Sequence, residues 1–353
     1  MALRLERADL VAALTATARV VESRNTYPIL ANVLLSVADG RLTVRSTDLD
    51  IEITTSVPAE GDLPTTTAPA KTLLDIAKKF PAGAEVTLDL EGETLTVKAG
   101  RSRFKLGTLD VSGFPTLSGG DFGEPFETDL ASLFAPVAFA ISNEETRFYL
   151  NGIYLHTVAG RLRAVATDGH RLARHDGSEA PEFTGVIVPK KTVAIVPPGT
   201  VQVQLSATKI RLVAGDVVIV SKLIEGTFPD YDRVTPKNND KVLVVDRAQF
   251  AAALDRVSIV ANDRGSKAVK VAVAEDRLEL TCTNSEGGSA TEDVSVDSEV
   301  NFAIGYNAGY LAEIIRVAGG ERVTFKWSED NSPSLITGEN DNWLSVLMPM
   351  RVS

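Results

Sequence analysis

The chain has 353 residues, 44% hydrophobic and 24% charged, the proportions of an ordinary globular protein with length enough for two or three domains. It has no apolar run near the roughly 18 residues of a membrane span; its first residues, MALRLERADL, lack the apolar core of a secretory signal; and its lone cysteine, Cys282, allows no intrachain disulfide, so a cytoplasmic protein without a membrane partner is expected. The balance of 36 Lys+Arg against 47 Asp+Glu, net −11, taken as a whole-chain sum argues against a nucleic-acid partner, but binding depends on where charge is placed.

In chain order, RADLVAALTATARVVESR (7–24) reads as an Ala-rich helix with Asp9 as N-cap. DGRLTVRSTDLD (39–50) follows as a turn and a strand ending at Thr47. AKTLLDIAKKF, from Ala70, is a second helix, and the alternating pairs Leu95/Val97 and Phe104/Leu106 mark strands. The order then begins again. TDLASLFAPVAFAIS is helical in character, with Thr128 or Asp129 as N-cap. AGRLRAVATDGHRLA (159–173) repeats the turn-and-strand phrase, PKKTVAIV (from Pro189) is a short helix, and Val201, Val203 and Leu205, then Ile210 and Leu212, alternate. A third round runs through DRAQFAAALDRVSIVAN, with Asp246 as N-cap, EDRLELTCTNSE (275–286), YNAGYLAEIIRVA (from Tyr306) and the alternating Val323, Phe325 and Trp327.

Thr47, Thr167 and Thr283 close the three phrases at intervals of 120 and 116 residues, the size of a domain and too long for a solenoid repeat. Stretches rich in Gly, Pro and polar residues at 110–125 and 225–241 place boundaries near 122 and 240. The expectation is three tandem α+β domains of one topology, 1–122, 123–240 and 241–353, each with about two helices and seven or eight strands.

Only the middle copy of the phrase carries a histidine, in Asp168-Gly169-His170. His156, in the alternating GIYLHTV, reads as a surface or edge-strand residue. His170 and His175 lack the further Cys or His ligands that zinc requires. No G-x-S-x-G elbow, Walker loop or H-E-x-x-H helix is present, and no cofactor or metal is expected. A hydrolase built on Asp168 and His170 stays open as the enzymatic alternative, because triad members come from distant segments.

Charge is unevenly placed. The segments 7–24, 70–80, 189–196 and 246–270 are each net positive. Their cations include Arg24; Lys71, Lys78 and Lys79; Lys190 and Lys191; and Arg264 and Lys267. Basic helices in an acidic chain fit a surface facing the phosphates of double-stranded DNA without sequence preference. They fit solvated helix faces equally well. Glu144 and Glu145, behind the third helical segment, break the pattern.

TRFYLNGIYLH (146–156), ATDGHRLA (166–173), EGTFPDYDRVTPKN (225–238) and VLMPMRV (346–352), with YPILANVLL (27–35), STDLDIE (46–52) and GRSRFKLGTL (100–109), resemble the bacterial DNA polymerase III beta subunit family, the sliding clamps, over the full length. The resemblance implies a non-enzymatic processivity factor for replication. Two chains would form a ring-shaped homodimer of six domains, helices lining a central hole and sheets outside, around duplex DNA. A pocket would capture short peptides of the DNA polymerase III alpha subunit, the clamp loader, other polymerases and repair proteins. Matched residue by residue, it uses Leu150, Thr167, Gly169, His170, Arg171, Leu172, Pro229, Arg233, Val234, Val346, Met348, Pro349, Met350 and Arg351, with Asn307, Tyr310 and Ser334 from the third domain. Adaptable Met side chains suit a surface with several partners. For DNA the match carries over Arg24 and the loop 143–145. For the ring joint it gives Phe104 and Leu106 on one side, Ile259 and Val260 on the other.

Overall fold

In all three copies the repeated phrase forms the middle strand of an antiparallel meander. The three meanders are Asn32–Ala38, Arg41–Thr47 and Ile51–Pro58; Gly152–Val158, Arg161–Thr167 and Arg171–Glu179; and Ala268–Ala274, Arg277–Thr283 and Ser289–Ser295. The first hairpin of each turns on two residues with positive φ: Asp39 and Gly40 (50° and 69°), Ala159 and Gly160 (50° and 75°), and Glu275 and Asp276 (49° and 62°). Two such residues twist a tight turn in the sense of the flanking strands, which accounts for the D-G, A-G and E-D that open the phrase. Inward positions alternate, so Leu42 and Val44, Leu162 and Ala164, and Leu278 and Leu280 are buried.

The computed structural model describes residues 2–22, 26–117, 119–261, 268–284 and 287–352. Among them each expected third of the chain holds eight strands and two α-helices. The helices are α1 (Arg7–Thr17), α2 (Ala70–Lys79), α3 (Leu130–Phe134), α4 (Lys190–Val193), α5 (Arg247–Ala261) and α6 (Ala308–Val317). Among the described residues the strands make four sheets. One eight-stranded sheet joins Ile51–Pro58 of the first copy to Val217–Lys222 of the second; the other joins Arg171–Glu179 of the second to Trp343–Leu347 of the third. Each therefore crosses a sequence boundary, and the compact units are 1–129 with 194–223, and 130–193 with 224–353. Two four-stranded sheets remain, ending in the strands Ser102–Gly107 and Ser289–Ser295.

In the first unit, Leu10 and Leu14 of α1 and Leu73 and Leu74 of α2 pack with Val86, Leu88, Leu95 and Val97 in one core. In the second, Phe250 and Leu254 of α5 and Leu311 and Ile315 of α6 pack with Val271, Leu280, Val323, Phe325 and Trp327. Each such side chain contributes roughly 1.5–3 kcal/mol through burial.

Local details differ from expectation. The first helix begins at Arg7, so Asp9 lies inside its first turn, where its charge faces the positive end of the helix. Asp246 does cap α5, accepting from the Gln249 N–H at 2.8 Å. The middle copy's helices are much shorter than TDLASLFAPVAFAIS and PKKTVAIV suggest: α3 has five residues and α4 four. Pro136 lacks an N–H and disfavours a helical Ala135. Behind α4 stand the β-branched Ile195 and Val196 and then Pro197-Pro198.

Candidate peptide-binding site

The site is organised by the turn 167–171. The Thr167 hydroxyl accepts from the Gly169 N–H (3.1 Å) and donates to the Arg171 carbonyl (2.7 Å). One oxygen of Asp168 accepts the N–H groups of His170 (2.9 Å) and Arg171 (3.0 Å), and the other accepts Arg171 Nε (3.1 Å). Gly169 has φ +87°, and a Cβ there would lie 2.6 Å from the Arg147 guanidinium. Both facts favour glycine: any other residue would be strained at this φ and would displace the Arg147 guanidinium. His170 is left exposed, while Arg171, 8% exposed, points inward. Its guanidinium donates to the Phe139 carbonyl (2.6 Å), pairs with Glu313 and lies 4.2 Å from the centre of the Tyr310 ring. A buried cation held by carboxylates, a carbonyl and a ring face is satisfied on every side.

This geometry lends no support to an Asp168/His170 hydrolase. Asp168 bonds the backbone N–H of His170, and its ring instead stacks near Tyr310, centroids 6.2 Å apart. A catalytic base needs an orienting group and a nucleophile within hydrogen-bond reach, and no such set surrounds His170 among the described residues. His175 is also occupied: its Nδ1 faces the Leu133 carbonyl at 3.0 Å and its Nε2 the Asn342 amide at 3.2 Å. Among the described residues no group of three or more His, Cys, Asp or Glu side chains is placed to hold a metal ion.

Strand pairing brings the C-terminal segment to the turn. Trp343–Leu347 pairs antiparallel with Arg171–Glu179, Leu172 opposite Val346, and the Met348 N–H donates to the His170 carbonyl at 2.9 Å. A cavity of about 220 Å³ opens there. Its floor is Leu150, Leu172 and Val346, all buried, continuous with the core residues Val165, Ile187 and Leu344. Pro229 and the exposed Val234 and Met348 form apolar walls; Thr167, Gly169, His170 and Arg171 supply the polar edge. An apolar cleft with a few fixed polar groups suits a short peptide with apolar side chains.

Other expected pocket residues lie elsewhere. Arg233 points to solvent and pairs with Asp230 at 2.8 Å. Ser334 is fully buried and hydrogen-bonded to the Tyr306 hydroxyl. Asn307 caps α6 by accepting from the Tyr310 N–H at 3.2 Å, and Tyr310 lies behind the turn against Arg171. Pro349, Met350 and Arg351 line an adjoining groove, bordered like the cavity by Met348, with Gly305, whose carbonyl accepts from the Met350 N–H at 2.7 Å. Conversely, Arg147, Tyr149, Asp230 and Tyr231 line the cavity without having been singled out. They lie inside the motifs 146–156 and 225–238, close in sequence to Leu150 and Pro229, and that proximity is the available signal.

Arg147 closes one side. Its guanidinium takes both oxygens of Glu144 (2.6 and 2.7 Å) and the Asp168 carbonyl (3.0 Å). The hydrogen bonds hold the Glu144 carboxyl below its ordinary range and raise the Arg147 guanidinium above its own. Glu144 is thus partnered, although it sits in the loop carried over as a DNA contact. His156 departs from its expected surface or edge position. Its strand is paired on both sides, and its Nε2 lies 2.9 Å from the Tyr231 hydroxyl.

Of the basic residues, Lys71, Lys78, Lys79, Lys190 and Lys191 are exposed on α2 and α4, Lys190 donating to Asn143 at 2.7 Å. Arg24, Arg264 and Lys267 lie outside the described residues. Three other cations of the basic segments are engaged: Arg7 and Arg19 donate to main-chain carbonyls, and Arg256 pairs with Glu292. Of the joint residues, Ile259 is 70% exposed and Phe104 is exposed beside Phe80, whereas Leu106 belongs to the first core. Val260 is half-buried.

Family profiles decide the kinship. Those of the DNA polymerase III beta subunit N-terminal, central and C-terminal domains match residues 1–118, 127–230 and 232–351. The chain belongs to the DNA polymerase III beta subunit family. The beta sliding clamp of Caulobacter vibrioides is 44% identical over the whole of both chains, and that of Escherichia coli 35%. Among solved structures, a Caulobacter crescentus beta sliding clamp with PEG bound matches at a TM-score of 0.95 and 42% identity, covering 100% of this chain and 99% of the other. A Bartonella birtlesii sliding clamp bound to griselimycin matches at 0.95 and 39%, over 100% of both. The fold is therefore three tandem clamp domains, and the function that of a sliding clamp: a replication processivity factor, not an enzyme, with DNA and polymerase as partners.

Proposed function

We propose that two copies of this chain join head to tail into a ring around duplex DNA, helices inward and sheets outward, with domains 1–122, 123–240 and 241–353. Sheet continuity supports this. Within the chain, the last strand of one copy's meander pairs with the strand that closes the next copy's second hairpin: Ile51–Pro58 with Val217–Lys222, and Arg171–Glu179 with Trp343–Leu347. By the same rule Ser289–Ser295 calls for a partner like Ser102–Gly107. Among the described residues each of these two strands is paired on one side only. An open edge invites pairing, and two-fold symmetry supplies both missing partners and closes the assembly. Phe104 on one edge and Ile259 on α5 are exposed apolar groups suited to that joint.

Lys71, Lys78, Lys79, Lys190 and Lys191, with Arg24, Arg264 and Lys267, contact phosphates without sequence preference. The cavity at the 167–171 turn takes short peptides of the DNA polymerase III alpha subunit, the clamp loader, and other polymerases and repair proteins. The protein works in the cytoplasm; no helix among the described residues is long and apolar enough to cross a membrane. The pairing rule carries the proposal, and topology tests it. Protein loaded on closed circular duplex should remain after a high-salt wash and be lost when the circle is cut. Equal retention on cut and closed DNA contradicts encirclement.

A further inference from the structure

The cavity's wall at 228–234 is a loop, and the structure shows what holds it. Side chains two apart on a strand share a face, so Tyr154 and His156 of Gly152–Val158 stand together. Phe228 stacks on Tyr154, centroids 5.0 Å apart and planes at 6°. Tyr154 in turn stacks on His156 at 4.4 Å. The register continues the row across the sheet: His156 lies opposite Arg163, and Arg163 opposite Asp176. Arg163 makes a two-pronged bond to the Asp176 carboxylate (2.6 and 2.8 Å) and donates to the Tyr231 hydroxyl at 3.3 Å. The Tyr231 oxygen therefore accepts from Arg163, and its own proton is directed to His156 Nε2 at 2.9 Å.

That arrangement needs a neutral imidazole. Burial first, then the charge of Arg163, lowers the His156 pKa to about 4. Tyr231 lines the cavity, whereas His156, Arg163 and Asp176 do not. We propose that His156 and Arg163 are positioning residues for peptide capture: through the Tyr231 hydroxyl they fix the loop that carries Pro229 and Val234 before the peptide arrives. The proposal rests on reading the cavity as the peptide site. A wall held in its bound position loses less freedom on binding, so affinity depends on groups that never touch the peptide. His156 Nδ1 is buried without a protein partner, so among the described residues the imidazole's one hydrogen bond is that of Nε2 to the Tyr231 hydroxyl.

The test is fluorescence anisotropy with a labelled synthetic peptide of the C-terminal residues of a bacterial DNA polymerase III alpha subunit, with a melting curve for each variant. Tyr231→Phe removes one oxygen and leaves the ring. It should weaken binding roughly three- to tenfold, the range of one net hydrogen bond, with little change in melting temperature. His156→Leu should weaken binding similarly, and His156→Gln, which can accept the same proton, should restore most of it. In the Tyr231→Phe background the His156 substitutions should have no further effect, because the bond they alter is gone. A general structural defect would persist in that background. Met348→Ala is the control for the cavity. If it weakens binding while Tyr231→Phe and His156→Leu do not, the positioning role is overturned and the peptide site stands. If Met348→Ala binds like wild type, the site itself is overturned and the positioning role with it. Should His156→Leu fail to fold, Tyr231→Phe alone decides.

Discussion

In the turn 47–51 the Thr47 hydroxyl accepts from the Leu49 N–H (3.1 Å), and Asp48 accepts from the Asp50 and Ile51 N–H groups (3.0 and 2.7 Å). In the turn 167–171 the same atoms of Thr167 and Asp168 do the same work at 3.1, 2.9 and 3.0 Å. The third residue has positive φ in both, 80° at Leu49 and 87° at Gly169. The backbone is common; the side chains are not. Ile51 is buried apolar packing, where Arg171 is a buried cation tied to Asp168 and Glu313. Asp50 pairs with Lys222 at the surface, where His170 stands over Tyr310 at a cavity mouth. Leu49 keeps a side chain in a strained conformation, where Gly169 leaves room for Arg147. Thr and Asp are thus the price of the turn itself, and the three residues after Asp decide whether it is only a turn or also a wall of a site.

Swapping those three residues between copies sharpens the comparison. Arg171→Ile, which copies Ile51, should have the largest effect: it leaves one oxygen of Asp168, the Glu313 carboxylate and the Phe139 carbonyl without the guanidinium that donates to them, a loss of about 3 kcal/mol of stability, measured by denaturant unfolding. Gly169→Leu, which copies Leu49, sets a Cβ against the Arg147 guanidinium and places a side chain at positive φ. Peptide affinity should fall about tenfold or more, or about 1.4 kcal/mol, in an anisotropy titration; unchanged affinity would mean the glycine serves only the turn.

Acid separates the pocket region from the first turn by another route. His156 titrates near 4 in the folded protein because of burial and Arg163, against about 6.5 unfolded. Between these values the unfolded chain binds more protons, so stability falls as pH drops from about 6.5 toward 4. In His156→Leu the fall over that window should be shallower, as read from melting temperatures at stepped pH; a parallel fall would show that other groups set the slope. The smallest effect belongs to Leu49→Gly. Relief of positive φ is offset by the greater freedom of glycine in the unfolded chain, so stability should rise by no more than about 1 kcal/mol.

Much of this was legible in the sequence because it rests on local rules. Period-two alternation placed Val323, Phe325 and Trp327 inward, and all three are buried. The threefold phrase gave the repeated topology, and the motif match put 166–173 and 346–352 at one site, where they meet as adjacent strands. What escaped depends on long-range geometry. That two eight-stranded sheets would cross the domain boundaries is not a property of any window of sequence. Leu106 has the alternation of a strand residue whichever face it uses, and it faces the core. Ser334 and Tyr310 are carried over from the family match as pocket residues, but one turns into the interior and the other behind Arg171. His156 resembles any strand histidine until Arg163, Asp176 and Tyr231 are seen around it.

Calorimetric titration of a polymerase tail peptide into wild type and Met348→Ala tests most directly the claim that the middle copy's turn has become a binding site. The account predicts affinity on the order of micromolar for wild type, about −8 kcal/mol, and a marked weakening in Met348→Ala, which loses an apolar wall joined to the turn through the His170 carbonyl. Equal affinity in the two proteins would place peptide capture elsewhere and contradict it.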